Sequence, residues 1–278
     1  MLIAHITDPH LGLDSSHMPG HPGVTEAFRR ALAHVRHLSP APLVLLLSGD
    51  LTDSGLAEDY LTLQAIMRAE LPSPADSGPL VLAVPGNHDD PATARRILGD
   101  LMPVASDAPE GLSCLHVERG GLHFIGLDTV LPGQPYGLLS QAQLDWLETQ
   151  LNQCADAPVV IFMHHPPLVT GMTAMEACGL LQGAAPLGRL VAAHGKVQMI
   201  AAGHMHRPVM GALGGAPVVV APSSSHQLEL NLRPGAPLAC RLEPPMIGLY
   251  RWVAEDGMAC HLSHVETFAS SDSIPIDR

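Results

Sequence analysis

Residues 43–53 read Leu43-Val44-Leu45-Leu46-Leu47-Ser48-Gly49-Asp50-Leu51-Thr52-Asp53. Five apolar residues in a row, without alternation, match a strand buried on both faces, as in a mostly parallel sheet covered by helices. Gly49 closes the run and Asp50 follows at the point where such a strand would emerge. A single aspartate there could be no more than a helix cap. Four further polar islands stand in the same relation to an apolar run: Asp8-Pro9-His10 after residues 2–7, Gly86-Asn87-His88-Asp89 after Leu80–Val84, His164-His165 after Val159–Met163, and Gly203-His204-Met205-His206 after Val197–Ala202. Five islands are hard to explain as caps.

Between the islands the pattern turns helical. Ala27, Phe28, Ala31, Leu32, Val35 and Leu38 recur at helical spacing over 25–38, and Leu56, Tyr60, Leu63 and Met67 do so over 55–71. Pro91 suits the first turn of a helix to Leu98, Ser140 is a good cap for one over 140–151, and 186–194 completes the set. Glu118-Arg119-Gly120-Gly121 between two apolar runs signals a hairpin. From residue 209 onward the reading is β-hairpin-like, with 217–221, 246–253 and 261–265 the clearest strands, and the polar stretch 270–278 is expected to fray. The segments 11–23 and 166–183 read as loops, and no linker divides the chain.

At 278 residues with 46% hydrophobic content the chain can bury a large core, and no apolar run is long enough to span a bilayer. The first residues lack a basic leader and reach Asp8 at once, so a cytoplasmic location is expected. With 14 Lys+Arg against 27 Asp+Glu, a net charge of -13 offers no footprint for a nucleic-acid backbone, and 3% aromatics offer few stacking platforms. A small phosphate compound remains compatible, because bound cations can invert the local field. The five cysteines form no CxxC pair, which argues against a zinc knuckle or a disulfide framework.

If the islands follow parallel strands, they converge at the carboxyl edge of the sheet. Asp8, His10, Asp50, Asn87, His164, His204 and His206 then form one cluster of carboxylate, amide and imidazole donors. That mixture suits first-row ions such as Mn, Fe, Zn or Co. Seven donors are too many for one open catalytic ion and about right for two if a carboxylate bridges. Two ions about 3.5–4 Å apart can clamp an in-line phosphoryl displacement and lower the pKa of a bridging water, supplying hydroxide near neutral pH.

In order along the chain, DxH, GDxxD, GNHD, a histidine after a strand in HHPP, and GHxH resemble the calcineurin-like metallophosphoesterase superfamily. The resemblance implies an α/β fold: a four-layer αββα sandwich of two mixed β-sheets flanked by helices. Residues 1–222 would be the catalytic core, and 223–278 would be C-terminal strands completing it, able to act as a cap or a dimer element. It implies two divalent or trivalent first-row ions (Mn, Fe, Zn or Co). Asp8, His10 and His206 would hold one, Asn87, His164 and His204 the other, with Asp50 bridging. His88 would face the phosphate and assist the leaving oxygen, which makes His88 and Asp50 the catalytic pair. His164 is preferred to His165 as the ligand because it directly follows the strand and matches the family position. His165 then lines the pocket.

His17, His21 and His226 are candidate substrate contacts, with surface histidines the plainer reading, and Asp53 reads as a supporting or capping carboxylate rather than a ligand. Phe162-Met163-His164-His165-Pro166-Pro167 and Asp90 after GNHD resemble bacterial class III cyclic nucleotide phosphodiesterases and glycerophosphodiesterases. The implied function is hydrolysis of a small phosphodiester, a 3',5'-cyclic nucleotide or a glycerophosphodiester, by a metal-bridging hydroxide. No nucleic-acid polymer or membrane partner is implied, and a homodimer or higher homo-oligomer stays open. A phosphomonoesterase is the alternative, and a non-catalytic binding protein of the same fold a remoter one.

Overall fold

The computed structural model describes residues 1–16, 18 and 20–265. His17 and the tail 270–278 lie outside the described residues. Two large sheets carry the chain. The first has five strands in the order Gly257–His264, Met246–Val253, Leu2–Ile6, Val44–Ser48, Leu80–Val84. The second has six, in the order Val209–Leu213, Ala216–Val220, Val197–Ala202, Val159–Met163, Leu122–Leu127, Leu115–Arg119. Both are mixed. Leu2–Ile6, Val44–Ser48 and Leu80–Val84 run parallel while Met246–Val253 pairs antiparallel to Leu2–Ile6. In the second sheet four central strands are parallel and a hairpin partner flanks each side.

The apolar residues divide into three cores, and this division defines the layers. Leu45 and Leu47 face the helices Val24–His37, Ala57–Glu70 and Pro91–Leu98 through Phe28, Leu32, Tyr60, Leu63 and Ala94. Val44 and Leu46 point the other way, with Ile3 and Leu82, onto Phe124, Val160, Phe162 and Met199 of the second sheet. The second sheet's outer face, including Ile125, Ile161 and Ile200, packs on helices Gln141–Gln153 and Ala184–His194 through Leu144, Leu147, Leu187 and Val191. The result is the four-layer αββα sandwich. All five residues of Val44–Ser48 are buried, but helices cover only one face. The other face is covered by a second sheet, which an unbroken apolar run cannot distinguish from a helix layer.

Local signals behave as their chemistry predicts. Asp90 caps helix Pro91–Leu98 by accepting from Thr93 N at 2.7 Å, and Ser140 forms a capping box with Gln143. The Gly120-Gly121 turn joins the two hairpin strands.

One polar seam crosses the inter-sheet core. His5 is fully buried, with Nδ1 2.8 Å from Tyr250 Oη and Nε2 2.7 Å from Ser48 Oγ. Ser48 Oγ donates to Thr7 Oγ1 at 2.8 Å, and Thr7 Oγ1 donates to Asp8 Oδ2 at 2.6 Å. Burial pushes the His5 pKa from 6.5 down to about 4, against the pull of Asp8. The unfolded chain therefore binds a proton that the folded chain refuses in that window. Stability from this group is complete above pH 6.5 and is lost as pH falls toward 4, by up to about 3 kcal/mol. Urea unfolding across this range should show a shallower acid loss for His5→Gln than for the wild type; equal slopes would remove His5 from the account.

Candidate metal centre

The carboxyl ends of five parallel strands, three from the first sheet and two from the second, meet at one end of the sandwich. Leu2–Ile6, Val44–Ser48 and Leu80–Val84 lead to Asp8 with His10, Asp50 and Asn87, while Val159–Met163 and Val197–Ala202 lead to His164 and to His204 with His206. Backbone hydrogen bonds join the loops: Asp8 N to Gly49 O at 3.1 Å, His10 N to Asp50 O at 3.0 Å, and Gly203 N to His164 O at 3.0 Å.

The backbone in these loops is strained. Asp8, His10, Asp50, His204 and His206 have φ of 52°, 48°, 47°, 70° and 49°, and among the described residues Ser77 is the one other non-glycine with positive φ. The left-handed region costs an L-residue about 1–2 kcal/mol, and such strain gathers where function requires it. Close approach explains two glycines. A Cβ on Gly86 would collide with the backbone N and carboxylate of Asp50, and one on Gly203 with Thr7 Oγ1. Gly86→Ala is expected to cost about 1–3 kcal/mol of stability and to lower metal affinity by displacing Asp50. Unchanged melting temperature and metal content would refute this.

The side chains form two groups around Asp50. Its Oδ2 lies 3.6 Å from His10 Nε2 and 3.4 Å from His164 Nε2, while Oδ1 accepts from His88 N at 2.9 Å. On one side are Asp8, His10 and His206, with His10 Nε2 3.1 Å from His206 Nε2 and His206 Nε2 3.4 Å from Asp8 Oδ1. On the other side, His164 Nε2 stands 3.1 Å from Asn87 Oδ1 and 3.2 Å from His204 Nδ1.

The far ring nitrogens decide what these contacts mean. His164 Nδ1 donates to Ser48 O at 2.8 Å and His206 Nδ1 donates to His226 O at 2.9 Å, since a carbonyl can only accept. His10 Nδ1 is held by Asp53 Oδ1 at 3.1 Å. In the neutral rings the Nε2 atoms therefore aim lone pairs at one another, at Asn87 Oδ1 and at the Asp50 carboxylate. Acceptors facing acceptors are satisfied by protons or by metal ions between them, and fixing the outer N–H is how proteins orient metal-ligating imidazoles. The donors fit two cations.

The model of the calcineurin-like phosphoesterases matches residues 1–208. The chain belongs to that family. It is 30% identical over 269 residues to a probable glycerophosphodiester phosphodiesterase of Arcobacter nitrofigilis, covering 96% of this chain and 94% of the relative. It is also 30% identical to a cAMP/cGMP dual specificity phosphodiesterase of Mycobacterium tuberculosis, over 84% of this chain and 70% of the other. Among solved structures, a dimetal phosphatase from Danio rerio shares the fold at a TM-score of 0.62 and 15% identity, with 96% of each chain covered.

Electrostatics in this phosphoesterase follow from the burial of two carboxylates among imidazoles. Burial alone would raise the pKa of Asp50, yet His164, His10 and His88 hold it well below its ordinary value. Asp8 is likewise lowered, with burial opposed by His206 and His164. Burial works against charge on His164 as well, but Asp50 and Asp8 raise its pKa to about 9. In the absence of cations, protons on His164 and His206 offset the two carboxylates, whereas burial and the neighbouring His164 push His204 down to about 3. Metal binding must displace those protons, so acid weakens it.

Two carboxylates within the motifs tie the loops together: Asp89 of GNHD, to which the sequence reading gave no role, and Asp53 of GDxxD, expected there as a supporting carboxylate. Asp89, buried at 7% exposure, accepts from Leu51 N, Thr52 N and Gly86 N at 2.9–3.1 Å and from Tyr60 Oη at 2.9 Å, tying the Asp50 loop to the Asn87 loop. Its place next to His88 in GNHD was the available signal. Asp53 reaches both His10 Nδ1 and, at 3.5 Å, His88 Nδ1.

The other candidate contacts separate. His88 is 42% exposed at the rim, its Nδ1 donating to Asp53 O at 2.8 Å and its ring 4.7 Å from that of His10. The His226 ring lies 4.6 Å from that of His206, tilted by 57°. His21 sits further out, holding Ser225 O at 3.3 Å and lining a cavity of about 160 Å³ with Arg30 and Leu242. His165 does not line an accessible wall. It is fully buried, with Nδ1 2.8 Å from Thr129 Oγ1 and Nε2 3.3 Å from Pro135 O, while its ring stands 4.6 Å from that of His204 and one ring nitrogen lies within 4.8 Å of nitrogens of His164 and His204. A cleft of about 610 Å³ bounded by Met67, Leu71, Ile97 and Leu101 lies elsewhere, and none of the seven donors lines it.

Proposed function

We propose that this phosphoesterase hydrolyses small phosphodiesters, with 3',5'-cyclic nucleotides and glycerophosphodiesters as the leading substrates. The observation that carries the reading is the pair of donor groups sharing Asp50 Oδ2, with the His88 ring exposed beside them. Asp8, His10 and His206 would hold one first-row ion, and Asn87, His164 and His204 the other. Mn, Fe, Zn and Co suit a mixed oxygen and nitrogen donor set. When bound, two such ions supply Lewis acidity and lower the pKa of bound water toward neutrality.

The chain's own groups do the rest. Asp50 and Asp8 bring negative charge into a buried setting and are kept ionised by the surrounding imidazoles. His88, fixed through Nδ1 by Asp53 O, leaves Nε2 to carry a proton to the departing alkoxide, and the Asp53 carboxylate 3.5 Å away supports the charged ring. Asp53 also orients His10, so one carboxylate serves a metal-holding ring and an acid.

Preference for a diester over a monoester is supported by the rim. A monoester carries close to two negative charges at neutral pH and a diester one. Arg207, the guanidinium next to His206, is engaged with Glu243 Oε1 at 3.0 Å and Leu228 O at 2.8 Å. Histidines 88 and 226 face the centre instead. The relatives named above act, by their names, on diesters. A panel of cyclic nucleotide, glycerophosphodiester, bis-aryl phosphate and matched monoester, run with each of the four metals, tests this. Diester turnover should lead; monoester turnover exceeding every diester would overturn the reading.

A further inference from the structure

Two imidazoles and a thiol meet at the other end of the second sheet, and we propose that His116, His123 and Cys154 form a separate site for a single zinc ion. His116 lies on strand Leu115–Arg119, His123 near the start of Leu122–Leu127, and Cys154 at the end of helix Gln141–Gln153. The candidate catalytic centre sits at the carboxyl ends of the parallel strands, whereas His123 and the approach to Val159 lie at the amino ends. None of the seven catalytic donors is shared.

The face itself is unusual. Leu115, Val117, Leu122 and Phe124 of this hairpin pack between the sheets, so His116 and His123 project to the side covered by the helix. Ile125, on that same side, joins the core with Leu144, Leu147 and Leu151, as a covered face demands. Imidazoles there need a reason. Their nitrogens and the Cys154 thiol lie within 4.8 Å of one another, and His116 Nε2 is 2.9 Å from His123 Nδ1.

The orientation of His116 is fixed from behind. Asp107 Oδ2 accepts from Gln150 Nε2 at 2.8 Å, so Gln150 Oε1 must face His116 Nδ1, 2.8 Å away, and accept its proton. Trp146 Nε1 donates to the other Asp107 oxygen at 3.0 Å and anchors the relay. His116 Nε2 is thereby left as a lone pair directed at His123. A carboxylate behind an amide behind an imidazole is the kind of outer support that metal-ligating histidines use. Cys154 Sγ donates to Gln150 O at 3.2 Å, and burial pushes the thiol pKa up, so it is neutral until a cation arrives.

On zinc binding, Cys154 gives its thiol proton to solvent and His123 shifts its proton from Nδ1 to Nε2, which leaves three donors for the ion and a fourth place for water. A zinc tetrahedron places such donors about 3.4–3.6 Å apart, which requires movements of about 1 Å. Two imidazoles and a thiolate favour zinc over magnesium or calcium. The bound ion would tie the 115–127 hairpin to the end of the helix.

Cobalt(II) provides the test, because none of the seven catalytic donors is a cysteine. Titrating the intact chain with Co²⁺ at neutral pH should produce a near-ultraviolet thiolate-to-cobalt charge-transfer band. It should be absent in Cys154→Ser and in the half-buried His123→Ala, with diesterase activity retained in both. Gln150→Leu should weaken Zn²⁺ binding at this site about 10–100-fold, and Zn²⁺ should raise the melting temperature of the wild type more than that of Cys154→Ser. No band in the wild type, or a band that survives in folded Cys154→Ser, overturns the proposal.

Discussion

An Asp50→Asn enzyme is expected to hold at most one of two first-row ions and to turn over any phosphodiester at least about 10⁴-fold more slowly, the upper end of what losing a positioned acid costs. The residue is 2% exposed, and its Oδ2 stands between His10 Nε2 and His164 Nε2. The amide retains volume and can still accept from His88 N through Oδ1. It loses the charge and turns the bridging oxygen into a donor, so both proposed ions lose a ligand while the fold keeps its contacts. Elemental analysis beside kcat/KM and a thermal melt distinguishes this from unfolding. Full turnover with two ions bound would end the bridging role.

His88→Ala should give the opposite pattern: two ions retained and kcat reduced about 10²–10⁴-fold. The side chain is exposed at 42%, and its ring contacts are with Asp53 O and His10, so its removal leaves the seven donors in place. If it protonates the leaving oxygen, the loss should be large for an alkyl diester and small for a bis-aryl phosphate, whose leaving group needs no proton. Equal losses on both would assign His88 to phosphate binding instead. Unchanged kcat on the alkyl diester would remove it from the chemistry.

The covered strands, the hairpin at Gly120-Gly121 and the caps at Asp90 and Ser140 were legible because each rests on local chemistry: an apolar run, a two-glycine turn, a side chain reaching back to a nearby N–H. The convergence of the seven candidate donors was legible because they recur after apolar runs and resemble a known motif series. Asp89 was not, since its four partners come from three separated segments. Nor was the burial of His165, which shares the HHPP stretch with His164 but faces Thr129 and Pro135.

The sequence by itself determined which residues could serve a metal centre and which segments form strands, because donor type and periodicity are properties of short stretches. Two sheets stacked face to face were implied by the motif resemblance and not by the periodicity, and the tertiary structure shows how the parallel strands divide between them. Covering a strand with a helix or with another sheet buries the same apolar side chains, so the run 43–47 is silent on the choice. Tertiary structure also decided that the chain would accept left-handed backbone at Asp8, His10, Asp50, His204 and His206. Nothing in five separate polar residues specifies that strain. It is held by loop-to-loop hydrogen bonds that exist once both sheets are in place.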